Sequence, residues 1–77
     1  MKFIIDTLDR DTRGVYSEDV YLDSVEQAED YCERESWEGG LCYIDAVIIC
    51  GVRHEATPEF LRGLKVGLQS REGVIND

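Results

Sequence analysis

The spacing of apolar and polar positions changes along the chain, and each change marks an element. Residues 2–8, Lys-Phe-Ile-Ile-Asp-Thr-Leu, are rich in β-branched and aromatic side chains and predict a strand. Asp9-Arg10-Asp11-Thr12-Arg13-Gly14 is polar and ends in glycine, which predicts a hairpin loop. A second strand is predicted over 15–22, with Tyr16, Val20 and Leu22 on one face and Glu18 interrupting it. At Asp23-Ser24 the strand period gives way to a helical one. Either residue can cap that helix, Asp23 with Glu26 or Ser24 with Gln27 at the reciprocal capping spacing. Val25, Ala28 and Cys32 then recur on one face with Tyr31 beside them, and Gly39-Gly40 ends the helix or its trailing loop.

Leu41 to Cys50 is the most apolar strand. Cys42, Ile44, Ala46, Ile48 and Cys50 alternate onto one face, and Tyr43, Val47 and Ile49 onto the other, together with Asp45. Two apolar faces predict a central strand. A further short strand over Val52 to Glu55 fits the pattern, and the strand order is left open. Thr57-Pro58-Glu59 is a cap followed by proline at the first helical position. Phe60, Leu61, Leu64 and Leu68 form the stripe of that second helix. Gly63 and Gly67 each weaken it by about 1 kcal/mol relative to alanine, and their spacing admits a close neighbour. Residues 71–77 read as a loose tail. The expected fold is one α+β domain over residues 1–77. It is a small two-layer sandwich in the order β-β-α-β-α, with an antiparallel-containing sheet of three or four strands and two helices.

Charge narrows the function. Seventeen acidic side chains face eight basic ones, for a net charge of −9 over 77 residues. Nucleic-acid affinity comes mainly from basic groups displacing phosphate counterions, so direct nucleic-acid binding is not expected. An anionic membrane surface is disfavoured for the same reason, and a basic protein partner is favoured. The start, Met1-Lys2-Phe3-Ile4-Ile5-Asp6, places an acid too early for a signal peptide, and no apolar run approaches the roughly 20 residues of a membrane helix. With three cysteines and no export signal, reduced thiols in a cytoplasm are the expectation.

The residues that bear chemistry offer little for catalysis. Cys32, Cys42, Cys50 and His54 have the composition of a zinc ligand set. However, the strand between Cys42 and Cys50 would hold them about 26 Å apart, so the cysteines read as small core residues. Asp9, Asp11 and Gly14 are similar to the opening of a calcium loop. Arg13 and Val20 stand where that loop needs oxygen ligands, so a polar hairpin loop is the better reading. His54, the one histidine, has Glu55 next to it and Cys50 four residues away, with no orienting third group and no oxyanion site. There is no glycine-rich phosphate loop. Neither an enzymatic role nor a cofactor is expected.

The first helix carries the most suggestive pattern. Glu26, Glu29, Asp30 and Glu33 recur at helical spacing and line one stripe. Glu35 and Glu38 extend the acidic region, and Trp37 stands among them. Such a stripe can be simply a solvated face. It can also dock a basic partner, with Trp37 and either Tyr16 or Tyr21 as anchors.

At Asp23-Ser24-Val25-Glu26-Gln27-Ala28-Glu29-Asp30-Tyr31 the chain resembles small phage-encoded proteins in which a strand leads through Asp-Ser into an acidic helix. Some anti-CRISPR proteins are similar in length, acidity, the Met-Lys-Phe-Ile start and a helix opening Asp-Ser-x-Glu-Gln. The resemblance implies an inhibitor that occupies a basic, nucleic-acid-binding surface on a host defence complex. That family shares no common motif, so no site residue is carried over from it. Leu41 to Cys50 and the helix after it have no counterpart in it. The leading expectation is therefore a protein-binding inhibitor. The alternative is a structural or accessory homodimer, held by an exposed sheet edge or by the Gly63–Gly67 face.

Overall fold

The structure is a computed structural model and describes residues 1–66. The elements are β1 (Lys2–Asp9), β2 (Val15–Tyr21), α1 (Val25–Glu35), β3 (Gly40–Ile49) and β4 (Val52–Glu55), followed by a helix, α2, over residues 58–66. The order is thus β-β-α-β-β-α, with the short strand at 52–55 present. All pairings are antiparallel, and the sheet runs β2-β1-β3-β4. Since β2 and β3 flank β1 and both oppose it, they run parallel to each other. Parallel strands need a crossover, and α1 supplies it.

Local chemistry fixes the turns. The Asp9 amide donates to the Gly14 carbonyl at 2.9 Å, closing the first hairpin. One oxygen of the Asp9 carboxylate accepts from the amides of Asp11 (2.9 Å) and Thr12 (3.4 Å). That oxygen serves the loop's own backbone, which is the behaviour of an Asx turn. The second hairpin turns on Cys50 and Gly51, with φ of 51° and 78°. Two consecutive left-handed residues are what a two-residue hairpin with the sheet's natural twist requires.

The helices start where side chains satisfy free amides. Of the two caps open to α1, Ser24 is the one used: its hydroxyl accepts from the Gln27 amide at 3.2 Å, while the Gln27 side chain accepts from the Asp23 amide at 2.9 Å. At the other end Ser36 donates its hydroxyl to the Cys32 carbonyl (2.7 Å) and accepts from the Cys42 amide (2.9 Å), pinning the helix end to β3. The Thr57 hydroxyl caps α2 by accepting from the Phe60 amide at 3.1 Å.

The core lies on one face of the sheet. Phe3 and Ile5 from β1, Cys42 and Val47 from β3, and Val25, Ala28 and Cys32 from α1 are buried together. Val20, Ile44, Ile49, Phe60, Leu61 and Leu64 pack around them, so both helices cover the same side. The expected alternation along β3 fails at one point. Ile4 pairs with Ala46 but Ile5 pairs with Ile44, which leaves Asp45 with no partner on β1. This is a β-bulge, and it shifts the phase of the strand by one residue. Cys42 and Ile44 face the helices before it, and Val47 and Ile49 face them after it. Ala46 and Ile48, expected on the face of Cys42, lie on the opposite face instead. The bulge lets the Asp45 carboxylate reach Arg53 on β4 at 2.7 Å while its carbonyl accepts from the Ala56 amide at 3.1 Å.

Gly63 is exposed, with open space where a side chain would stand, so it makes no close approach to another element. Gly67, Leu68 and the expected tail at 71–77 lie outside the described residues.

Candidate protein-binding surface

Because Val25, Ala28 and Cys32 point into the core, the rest of α1 faces solvent, and Glu26, Glu29, Asp30 and Glu33 are all exposed there. Glu29 lies nearest α2, where its carboxylate pairs with Lys65 at 2.7 Å. That contact, opposed by desolvation, raises the Lys65 ammonium above its ordinary value. Glu26, Asp30 and Glu33 have no ion-pair partner among the described residues. The pair bridges a shallow groove of about 360 Å³ between α1 and α2, lined by Ala56, Pro58, Leu61 and Arg62 besides Glu29 and Lys65.

Glu35 is on the other flank of α1. There Tyr31 donates its hydroxyl to the Glu18 carboxylate on β2. The Tyr31 hydroxyl is pushed up to about 12, first by that bond, then by burial, then by the charges of Glu18 and Glu35. The Arg34 guanidinium lies 5.9 Å from the Tyr31 ring centre. The acidic surface therefore wraps α1 in two strips, Glu26–Asp30–Glu33 and Glu18–Glu35, divided by Tyr31 and Arg34.

Trp37 and Glu38 follow the helix, in the turn that leads into β3. Trp37 forms a backbone bridge with Gly40 and is 51 % exposed. Its ring covers Gly40 on the helix side of the sheet. Tyr16 is on that same side, at the same end, across β1 from Cys42. Tyr21 faces away from the helices. The two tyrosines weighed as anchors are thus on opposite faces, and only Tyr16 shares the side of Trp37.

The cysteines and histidine do not converge. Cys32 and Cys42 are buried, with the Cys42 sulfur 3.1 Å from the Thr7 hydroxyl. Burial, then Cys42 and Glu29, pushes the Cys32 thiol up to about 11. Cys50 is exposed at the second hairpin turn, separated from Cys42 by most of β3. The His54 ring stacks on Phe60, with centres 5.0 Å apart and planes 9° from parallel, and so packs β4 against α2. Among the described residues no group of three or more His, Cys, Asp or Glu is gathered to hold a metal ion. Nor is any helix there long and apolar enough to cross a membrane.

One surface escaped the sequence reading. The sheet face away from the helices carries Val15 and Leu41 on either side of Leu8, with Tyr43, Ile4, Ala46 and Ile48 further along. Only the bulge at Asp45 brings Ala46 and Ile48 to that face, which is why strict alternation missed it.

Comparison with protein families, with curated proteins and with solved structures found no match, so function is argued from this chain's own residues.

Proposed function

We propose that this chain is a protein-binding inhibitor that blocks a basic, nucleic-acid-binding surface on its target. It would act in the cytoplasm in the manner of a phage anti-defence protein. The observation that carries the reading is the distribution of unpaired charge. Glu26, Asp30 and Glu33 stand exposed on α1 and form no ion pair among the described residues, although the Lys65 ammonium lies near enough to feel the Glu26 charge. By contrast, Lys2 and Arg53 are engaged on the opposite face of the sheet. Like charges held together on a helix oppose its stability slightly, and a basic partner would relieve that opposition. Glu35, Trp37 and Glu38 extend the surface toward the end of the sheet, where Trp37 and Tyr16 offer aromatic area beside carboxylates. Such area suits arginine or lysine side chains. Glu29 contributes only if a partner's cation displaces Lys65.

The test is affinity capture from host lysate at low and high salt, with the triple variant Glu26→Lys, Asp30→Lys, Glu33→Lys in parallel. A specific partner should be held at low salt, released steeply as salt rises, and lost by the variant. Capture that is indifferent to salt, or that the variant retains, rejects the reading.

A further inference from the structure

The sheet face turned away from the helices has a carboxylate at its centre. Asp6 on β1 is 7 % exposed and is the one charged side chain buried among the described residues. It stands between its cross-strand partners Ser17 on β2 and Tyr43 on β3, with Ile4 and Leu8 on either side of it along β1. The Ser17 hydroxyl donates to Asp6 Oδ1 at 2.6 Å. Among the described residues Oδ2 accepts no hydrogen bond, and Asp6 forms no ion pair. Every side-chain polar atom sealed from solvent there does have a partner, so Oδ2 is not sealed and opens onto this face. An ionised carboxylate can accept about four hydrogen bonds and is seldom buried without a cation.

The strands carry two cations on this face, and both are engaged elsewhere. Lys2 pairs with Asp19 at 3.6 Å, and Arg53 pairs with Asp45 and Glu55 at 2.7 and 3.1 Å. The surface around Asp6 is apolar and aromatic. Val15 and Leu41 flank Leu8, and Tyr43 lies beside Asp6 itself, all three more than a third exposed.

We propose that this face binds a protein partner through one arginine side chain, whose guanidinium donates to Asp6 Oδ2 and lies against the Tyr43 ring. Charge and shape select this occupant. A net charge of −9 draws a cationic partner to the chain. A guanidinium is planar, always charged, stacks on aromatic rings and is more weakly hydrated than an ammonium, so it suits a narrow opening in an apolar surface better than lysine does. The apolar residues around Asp6 take the arginine stem and its neighbours in the partner. A purely apolar occupant would seal Oδ2 with no partner at all. The site does not use the acids of α1, which packs on the other face of the sheet.

The probe is a short capped peptide, Ser-Leu-Arg-Leu-Ser, titrated into the isotope-labelled full chain at physiological salt. Its control carries citrulline in place of arginine, which keeps the length and removes the charge. Amide shifts should saturate at Ile4 to Leu8, Ser17 and Tyr43. The citrulline peptide, and the arginine peptide on Asp6→Asn, should each bind at least about tenfold more weakly, the loss of a charge-assisted contact. Asp6→Asn should be at least as stable as the wild type in denaturant, because asparagine still accepts from Ser17 and leaves no buried charge unpaired. The triple variant Glu26→Lys, Asp30→Lys, Glu33→Lys should keep the same pattern of shifts, since charges across the sheet are largely screened, so this proposal and the α1 reading fail separately. Equal binding of the two peptides would assign the face to an apolar segment and overturn the proposal. So would shifts confined to α1, binding retained by Asp6→Asn, no saturation at millimolar peptide, or an Asp6→Asn chain less stable than the wild type, which would make the carboxylate a part of the fold alone.

Discussion

The Trp37 ring sits over Gly40 so closely that a methyl group on Gly40 would lie 2.2 Å from two of its ring carbons. No side chain fits there, and the ring cannot yield without leaving the sheet. Gly40→Ala should therefore displace Trp37, destabilise the fold by about 1–3 kcal/mol and shift tryptophan emission to the red. Thermal melts and fluorescence spectra of the variant check both effects. An unchanged emission maximum would mean that the ring does not depend on this glycine. If Trp37 anchors a partner, the same variant should also weaken capture while leaving Glu26, Asp30 and Glu33 in place.

Tyr31 and Glu18 tie α1 to β2, and their bond makes a prediction about alkaline stability. The unfolded chain releases the tyrosine proton near the ordinary value of 10, whereas the folded chain holds it to about 12. The raised value means that the bond's contribution is fully present below pH 10 and is lost as pH rises toward 12. Ultraviolet titration of tyrosinate should resolve one late component. In Glu18→Gln that component should move down and the fall in stability across this window should flatten. A titration identical in wild type and variant would remove Glu18 as the cause.

The three thiols should react at very different rates. Cys50 is exposed, while Cys32 and Cys42 are buried and Cys32 is held protonated to about 11. Thiolate is the reactive form, so one equivalent of alkylating reagent should be consumed quickly at neutral pH and the other two only on unfolding. Mass spectrometry of the modified chain should place the fast label on Cys50. Rapid labelling of Cys32 would show that α1 opens readily from the sheet.

Cys50 also holds a conformation that suits another residue better. Its φ of 51° precedes Gly51 at 78°, the turn for which Asn-Gly is the preferred pair. Cys50→Asn should raise stability by about 0.5–1 kcal/mol, read as a higher denaturant midpoint at unchanged slope.

Elements whose determinants are local could be read from the sequence. Ser24 with Gln27, Thr57 before Pro58, and Asp9 folding over its own loop are contacts between near neighbours, so the residues that make them are adjacent in the text. The acidic stripe on α1 was legible for the same reason, since helical spacing alone groups Glu26, Asp30 and Glu33. Glu35 was grouped with them by proximity in sequence, but the turn of the helix carries it to the flank of Tyr31. Strand order was not legible, because β1 pairs with β3 across the whole of α1 and nothing local records that choice. The uncovered apolar face was hidden for a related reason. From Ile44 to Ile49 apolar residues stand on both faces of the strand, and Asp45 alone marks where the phase changes.

The bulge at Asp45 can be tested by separating the residue's position from its side chain. Asp45→Ala removes a contact with Arg53 between partly exposed groups, 34 and 49 % accessible, and such pairs contribute at most about 1 kcal/mol. Deleting Asp45 removes the extra residue itself, so Ile44 and Ala46 become consecutive partners of Ile5 and Ile4 and the strand alternates regularly. Val47, fully buried beside Phe3, and Ile49 then keep their place on the helix side, and Ala46 and Ile48 keep theirs on the other. What the deletion loses is the Asp45 contact with Arg53 and the carbonyl that accepts from the Ala56 amide. Chemical denaturation should therefore show a folded chain with a modest loss for both the substitution and the deletion. A deletion variant that is unfolded would mean that Asp45 does more than fill the bulge, and the division between core face and open face would not rest on strand phase alone.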